Sequence, residues 1–239
     1  MRVIPPVMNL RSAEGVLAAL TLIVGAPSLV AAQGRTVDEG IFVISRNGTP
    51  VGRESFRIVR GPSASGDVYR ATAQLSIGDR KVVPDLSADS TGSTLAYRVS
   101  VLDGSEMTVS LQARTRPGRF SSLMKTPQGE ASKDYVVPQG VVVLDDEISH
   151  QIYFVGLSGR RSGALTVIDP RGNSQVQASL ESAGFGPVEV GGRTTQASHF
   201  ILTAPGFARR EFWLDRAGLV LKVAIPERGI VAQRDEIPR

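Results

Sequence analysis

From Ile41 to Arg234 the chain alternates apolar and polar residues in short runs, and Gly, Pro, Asn and Asp interrupt the runs at close intervals. Alternation of period two sends successive side chains to opposite faces of a strand, so the pattern predicts β-structure along nearly the whole chain. The clearest stretch is 188–234, where strand-length runs are separated by Gly191-Gly192, Pro205-Gly206, Asp215 to Gly218 and Glu227 to Gly229. Phe200 and Leu202 share one face there, and Phe212 and Leu214 share a face of the next strand opposite Trp213. Earlier, Asn47-Gly48 lies between two apolar runs, and Tyr69, Ala71, Ala73, Leu75 and Ile77 alternate against polar residues. Asn-Gly between such runs predicts a two-residue hairpin, because both residues tolerate positive φ. The pairs Gly78-Asp79, Asp103-Gly104 and Pro117-Gly118 predict further hairpins of an up-and-down antiparallel sheet.

One stretch breaks the rhythm. Across 141–157 the residues Leu144, Ile148, Ile152 and Val155 recur at helical spacing, preceded by acids that favour a helix N-terminus. This predicts a helix over Asp145 to Leu157 that covers one face or one mouth of the sheet. Gly184-Phe185-Gly186-Pro187 reads as a turn. The fold class expected is mainly β: a single-domain curved antiparallel sheet or half-open barrel with one short capping helix.

Residues 1–32 stand apart. Arg2 and Arg11 precede an apolar run from Val16 to Val30 and the small residues Ala31 and Ala32, the pattern of a cleavable secretory signal cut after Ala32. Gly25, Pro27 and Ser28 leave the run short of the roughly 20 apolar residues that span a bilayer, so no stable membrane span is expected after cleavage. The expected address is periplasmic or secreted, with 33–239 as one β-rich domain. Without cysteine the chain forms no disulfide and offers neither a thiol nucleophile nor a cysteine metal site.

Charge narrows the function further. The formal net charge is +4, carried by 23 arginines and only four lysines against 23 acids. The basic residues are scattered singly rather than gathered on a stripe, which argues against nucleic-acid binding. Aromatic residues make up 5% of the chain, too few for a platform that stacks sugars or bases, whereas 41% hydrophobic residues suit an aliphatic interior.

Several segments resemble a family of secreted bacterial proteins of unknown function. They are Gly191-Gly192-Arg193, Ala197-Ser198-His199-Phe200 and Glu211-Phe212-Trp213-Leu214-Asp215, with Gly218 and Lys222 on the following strand. The hairpin from Gly48 to Phe56 and the segment Leu144-Asp145-Asp146 are similar to earlier landmarks of that family. The resemblance implies a curved, mostly antiparallel sheet similar to the half-barrels of lipoprotein carriers. It implies no catalytic residue, and it speaks for fold more than for function.

Catalytic chemistry finds little support in the residues. Glu147 and His150 would share a helix face at the spacing of di-iron carboxylate proteins, but those need the motif twice and two further glutamates. A metal site could be assembled from His150, His199 and one carboxylate, since a catalytic metal can sit on three protein ligands. The plainer reading is an acidic turn and a histidine hydrogen-bonded within a sheet. No G-x-S-x-G elbow occurs, and Ser158 reads as a loop residue. Asp103-Gly104-Ser105 reads as a hairpin turn.

The leading expectation is a periplasmic, non-enzymatic protein that holds an apolar or lipid-like ligand inside the curved sheet, with no cofactor. The candidate wall residues are Val83, Leu95, Val99, Val101, Met107, Val109, Leu111, Phe120 and Leu123, with Ile148 and Ile152 from the helix and Trp213 from the C-terminal meander. A slip of one residue in any strand would exchange its inner and outer sets. The alternative is an envelope protein that docks another protein and has a filled core, in which these residues only pack. A metal-dependent hydrolase is the third reading. A cavity of several hundred cubic ångströms separates the first reading from the second.

Overall fold

Asn47 and Gly48 both take positive φ, 49° and 80°, and the two-residue turn they form folds β1 (Arg35–Arg46) onto β2 (Thr49–Ser63). The computed structural model describes Met1 and residues 34–64, 66–137, 140–159 and 162–238; the expected leader and its cleavage site, but for Met1, lie outside the described residues. Ala32–Arg239 forms one compact unit. After the first hairpin the chain runs through β3 (Gly66–Ile77), β4 (Arg80–Asp89), β5 (Thr94–Asp103), β6 (Glu106–Arg116), β7 (Arg119–Thr126) and β8 (Gly129–Val136). Each strand pairs antiparallel with the one before. This is the meander that the turn residues predict.

The second half is β9 (Val141–Val143), α1 (Ile152–Leu157), β10 (Gly163–Asp169), β11 (Ser174–Val190), β12 (Arg193–Ala204), β13 (Phe207–Leu214), β14 (Val220–Ile225) and β15 (Ile230–Arg234). The last strand pairs with the first, Phe42 opposite Arg234 and Ile44 opposite Ala232. That contact joins the two meanders into one sheet, whose order is β8 to β1 and then β15 to β9. The sheet curls on itself without closing its backbone ladder. At one edge, Lys133 Nζ donates to the Asn173 carbonyl at 2.9 Å and Gln175 Nε2 to the Val136 carbonyl at 2.9 Å. At the other, the Val141 and Val143 N–H groups donate to Ser93 Oγ and Thr94 Oγ1 at the start of β5, at 3.0 and 3.1 Å. Side chains thus satisfy the edge that β9 would otherwise leave open.

The segment 141–157 occupies the interior of this curl. Leu144, Ile148, Ile152, Phe154 and Val155 are buried, and Tyr153 packs over Tyr69 of β3 with ring centroids 6.1 Å apart. Ala71, Ala73, Ala88 and Ala113 point inward from the surrounding strands, and these short side chains leave the room that the plug fills. Gly92, at φ 82°, presses the β4–β5 turn onto the Phe154 carbonyl, where a Cβ would collide with backbone.

The helix is shorter than the periodicity predicts. It spans only Ile152–Leu157, and residues 145–151 form turns. The physical reason is that the N–H groups needed to start a helix are drawn elsewhere. Ser149 and His150 donate theirs to the carboxylate of Glu54 on β2, at 2.8 and 3.1 Å, and Asp145 donates its own to Gln151 Oε1 at 2.7 Å. The acids do not cap the helix; no acidic residue lies in its first turn. The turn expected at Gly184 to Pro187 is also absent, because β11 runs through it with a bulge between Ser182 and Gly184. Pro187 is tolerated because the β10–β11 ladder stops at the Gly163–Leu180 pair, and beyond it no strand among the described residues pairs with that side of β11.

Glu54 is fully buried and accepts three hydrogen bonds from the plug, the third from His150 Nδ1 at 2.6 Å. Replacing Glu54 with Ala leaves those donors orphaned and is expected to cost about 3–5 kcal/mol in denaturant unfolding. Limited proteolysis of the variant should cut first within 144–158. Arg53→Ala, which removes an exposed pair with Asp235, should change stability by less than about 1 kcal/mol.

Candidate functional site

The plug is held by arginines and carboxylates from different strands. Asp145 is fully buried; Tyr97 of β5 donates its hydroxyl to Oδ2 at 2.7 Å, and Arg171 grips both oxygens with its guanidinium fork, Nε on Oδ2 at 2.6 Å. Arg171 also reaches Glu147 at 3.0 Å, and Arg80 of β4 donates to the other Glu147 oxygen at 2.6 Å. Asp146 receives Arg210 of β13 at 3.1 Å and Arg228 at 2.6 Å. The three consecutive acids of the chain therefore point to three different arginine groupings.

Burial sets the ionisation of this network. It pushes the Tyr97 hydroxyl well above its ordinary range, reinforced by the charge of Asp145. It opposes the charge on Arg171, but hydrogen bonds and attraction from Asp145 outweigh it, and the guanidinium is held more firmly protonated than usual. For Arg210 the balance is reversed: burial outweighs Asp146 and lowers its pKa. Asp169, at the end of β10, is pushed up to about 6 by burial, against the Gly172 N–H and with repulsion from Asp145 and Asp146.

Next to the network lies a partly enclosed cavity of about 290 Å³. Its floor is the plug at residues 146–149. Its walls come from the tips of the two hairpins that β1–β2 and β14–β15 form, through Ile44, Val51, Val223, Ile225, Ile230 and Ala232, with Ile77 from β3. Most of the lining is aliphatic, and the charged residues are Arg46, Arg210, Arg228, Asp146 and Glu147. Larger depressions, one of about 770 Å³ between α1 and β11–β13, are wider and more polar. The smaller cavity is the better site, because enclosure by apolar walls gives a ligand its binding energy.

The candidate wall residues are distributed as follows. Val99, Val101, Leu111, Phe120, Ile148 and Ile152 are buried in the core, and Val109 packs against it. Of these only Ile148 lines the cavity. Val83, Leu95, Met107 and Leu123 point outward and are exposed, Met107 by 53%. For Val83 the register is responsible: Val82, Pro84, Leu86 and Ala88 take the inner face of β4, placing Val83 on the other. Trp213 also faces outward, stacked on His199 at a centroid distance of 4.3 Å with Lys222 Nζ 4.8 Å from its ring.

The two histidines are not brought together. His150 is buried on Glu54 and stacked against Phe56, whereas His199 lies on the outer face of β12 and pairs with Glu211 at 2.9 Å. Glu147 and His150 do not share a helix face, since neither lies in a helix. No group of three or more metal-ligating side chains occurs among the described residues.

Two functional features escape the period-two reading of apolar residues. Arg210 and Glu54 each lie on the inner face of their strand, in line with Phe212 and Leu214 and with Phe56 and Ile58. A charged residue on an otherwise apolar parity is the signal that marks them. No signal along the chain brings Ile44, Val51, Val223 and Ile230 together, because their nearness follows from the β1–β15 pairing.

No protein-family model and no curated protein matches this sequence. Among solved structures the chain is similar to a crystal structure of a β-barrel-like protein of the domain of unknown function DUF1849 from Brucella abortus. The identity is 11%, the TM-score 0.49, and the match covers 84% of this chain and 96% of that one. The chain itself is mainly β, one open curved sheet with a short helix. Among the described residues no helix is long and apolar enough to cross a membrane.

Asp169 makes a pH-dependent contribution to stability. Its folded pKa of about 6 lies above the ordinary 3.8, so the folded state holds the proton more tightly than the unfolded chain. Its contribution is therefore complete below about pH 4 and is lost as pH rises through about 6. Asp169→Asn should raise stability by roughly 1–3 kcal/mol at pH 7 and leave it nearly unchanged at pH 3.5, read from unfolding midpoints at the two pH values.

Proposed function

We propose that the protein is a periplasmic, non-enzymatic binder of an apolar or lipid-like ligand, and that the ligand occupies the aliphatic cavity between the plug and the tips of the β1–β2 and β14–β15 hairpins. The observation that carries the reading is the cavity itself, about 290 Å³ and walled by isoleucine and valine. Its volume is near the lower end of the roughly 300–1,000 Å³ typical of small-molecule sites. It suits one short apolar chain rather than a multi-chain lipid held whole. The exported address rests on the leader pattern of residues 1–32.

A second reading, an envelope module that docks another protein, draws on a different observation. Among the described residues, the 182–190 part of β11 has no partner strand on one side, and it carries Phe185, 60% exposed. A free edge with an exposed aromatic is a place where another chain can add a strand.

Native mass spectrometry of protein purified from a bacterial periplasm, followed by organic extraction, tests the first reading. A near-stoichiometric acyl species is expected with the wild-type protein. Ile230→Trp, which fills the cavity from a half-buried hairpin position, should abolish it while leaving the far-UV circular dichroism unchanged. A ligand-free mass that persists after incubation with envelope lipids would overturn the reading and favour the docking module.

A further inference from the structure

We infer that the cavity selects a single-chain amphiphile with an anionic head, the head lying against Arg210, Arg228 and Arg46 and the tail between Ile44, Val51 and Val223. This rests on the proposal that the cavity binds an apolar ligand, and it adds the chemical class. Three observations carry it.

The first is Arg210. Its side chain is 1% exposed, lines the cavity, and has a single carboxylate partner, Asp146 at 3.1 Å; its Nε has no hydrogen-bond partner. A guanidinium held out of water with an unused N–H is a costly arrangement that a bound oxyanion would relieve. The face of the group is already covered, since its carbon lies 4.6 Å from the Phe207 ring centre, so the remaining valence is in the plane of the fork.

The second is the charge balance of the lining. Three arginines face two acids, and Glu147 is already engaged by Arg80 and Arg171 from outside the cavity. Asp146 alone is left to serve both Arg210 and Arg228, and Arg46 has no ion-pair partner among the described residues. Asp145 and Asp169 do not line the cavity and are held by Arg171 and by the Gly172 N–H, respectively. The surplus at the mouth is cationic.

The third is the separation of charge from aliphatic wall. The arginines lie on β13 and at the hairpin tips, Arg46 opposite Ile230 and Arg228 in the β14–β15 turn, whereas Ile44, Ala232 and Val223 form an aliphatic row across β1, β15 and β14 further from the tips. An amphiphile with its head at the arginines would bury its tail against those strands. A free small anion would leave them unused.

Isothermal titration of the full chain with decanoate, decan-1-ol, decyltrimethylammonium and acetate, each below its aggregation concentration at pH 8, tests the class. Decanoate is expected to bind at least about tenfold more tightly than decanol, as a charge-assisted hydrogen bond to a guanidinium requires, with the cation and acetate weaker still. Arg46→Gln and Arg228→Gln, both exposed enough to leave folding intact, should each lower decanoate affinity about three- to tenfold and leave decanol binding unchanged. Equal binding of decanol and decanoate, or preference for the cation, would overturn the anionic class and leave the apolar cavity standing. Acetate binding as tightly as decanoate would also overturn it, because the tail would then contribute nothing. Failure of every ten-carbon probe to bind would overturn both this inference and the reading on which it rests.

Discussion

Residues 144–151 enter the middle of the sheet as irregular backbone, and irregular backbone carries N–H groups that no ladder satisfies. Placing such a segment out of water is tolerable only if side chains supply the missing acceptors. Glu54 does this for Ser149 and His150, and Gln151 does it for Asp145. The remainder of the interior depends on that solution. The inward alanines of the strands, the glycine at Gly92 and the shortened helix all make sense once a polar-backed plug occupies the centre.

The same constraint explains the use of charge. A buried carboxylate needs a partner that saturates both of its oxygens, and a guanidinium fork does so in one plane. Asp145 with Arg171 is a buried pair of this kind; Asp38 meets Arg234 through one oxygen, and the rest of that guanidinium donates to the Val220 and Glu39 carbonyls. Arg234 is further packed against the rings of Phe42 and Phe56, which stack on each other, and Phe56 stacks on His150 as well. Burial still raises the pKa of Asp38 despite Arg234, so the pair holds the β1–β15 seam at an electrostatic cost. That seam joins the two meanders. It also sets the hairpin tips side by side, which is how the aliphatic cavity comes to exist beside the arginines of the plug network.

The sheet ends by overlapping itself rather than by closing a ladder. Strand β9 is parallel to β10 and rests its N–H groups on the hydroxyls of Ser93 and Thr94, and β8 touches the β10–β11 turn through Lys133, Tyr135 and Gln175. Side-chain closure of this kind fixes curvature without committing every strand to a barrel register. Among the described residues it also leaves part of β11 without a partner strand on one side, where the strand carries a bulge, two glycines and Pro187, features that weaken an edge as a template for aggregation.

How far the sequence alone determined this molecule follows from the range of the interactions concerned. Strands, their turns and their inner faces were legible wherever alternation was clean, as at 69–77 and 200–214, because period two is a local property of the backbone. Val83 fell on the wrong face because apolar residues occupy both parities of β4, and Leu95, on the parity of Tyr97, Val99 and Val101, is turned outward by the register shift at the start of β5, where Thr94 takes the inward place. Helical spacing at 144–155 was real, yet it reported burial on all sides of a plug rather than a helix, since Glu54 is ninety-five residues from Ser149 and competes for its N–H. Cavity and arginine mouth were invisible for the same reason. They are made by β1 meeting β15 and by the plug lying against their inner face, contacts between residues far apart in the chain, and only the tertiary structure could decide them.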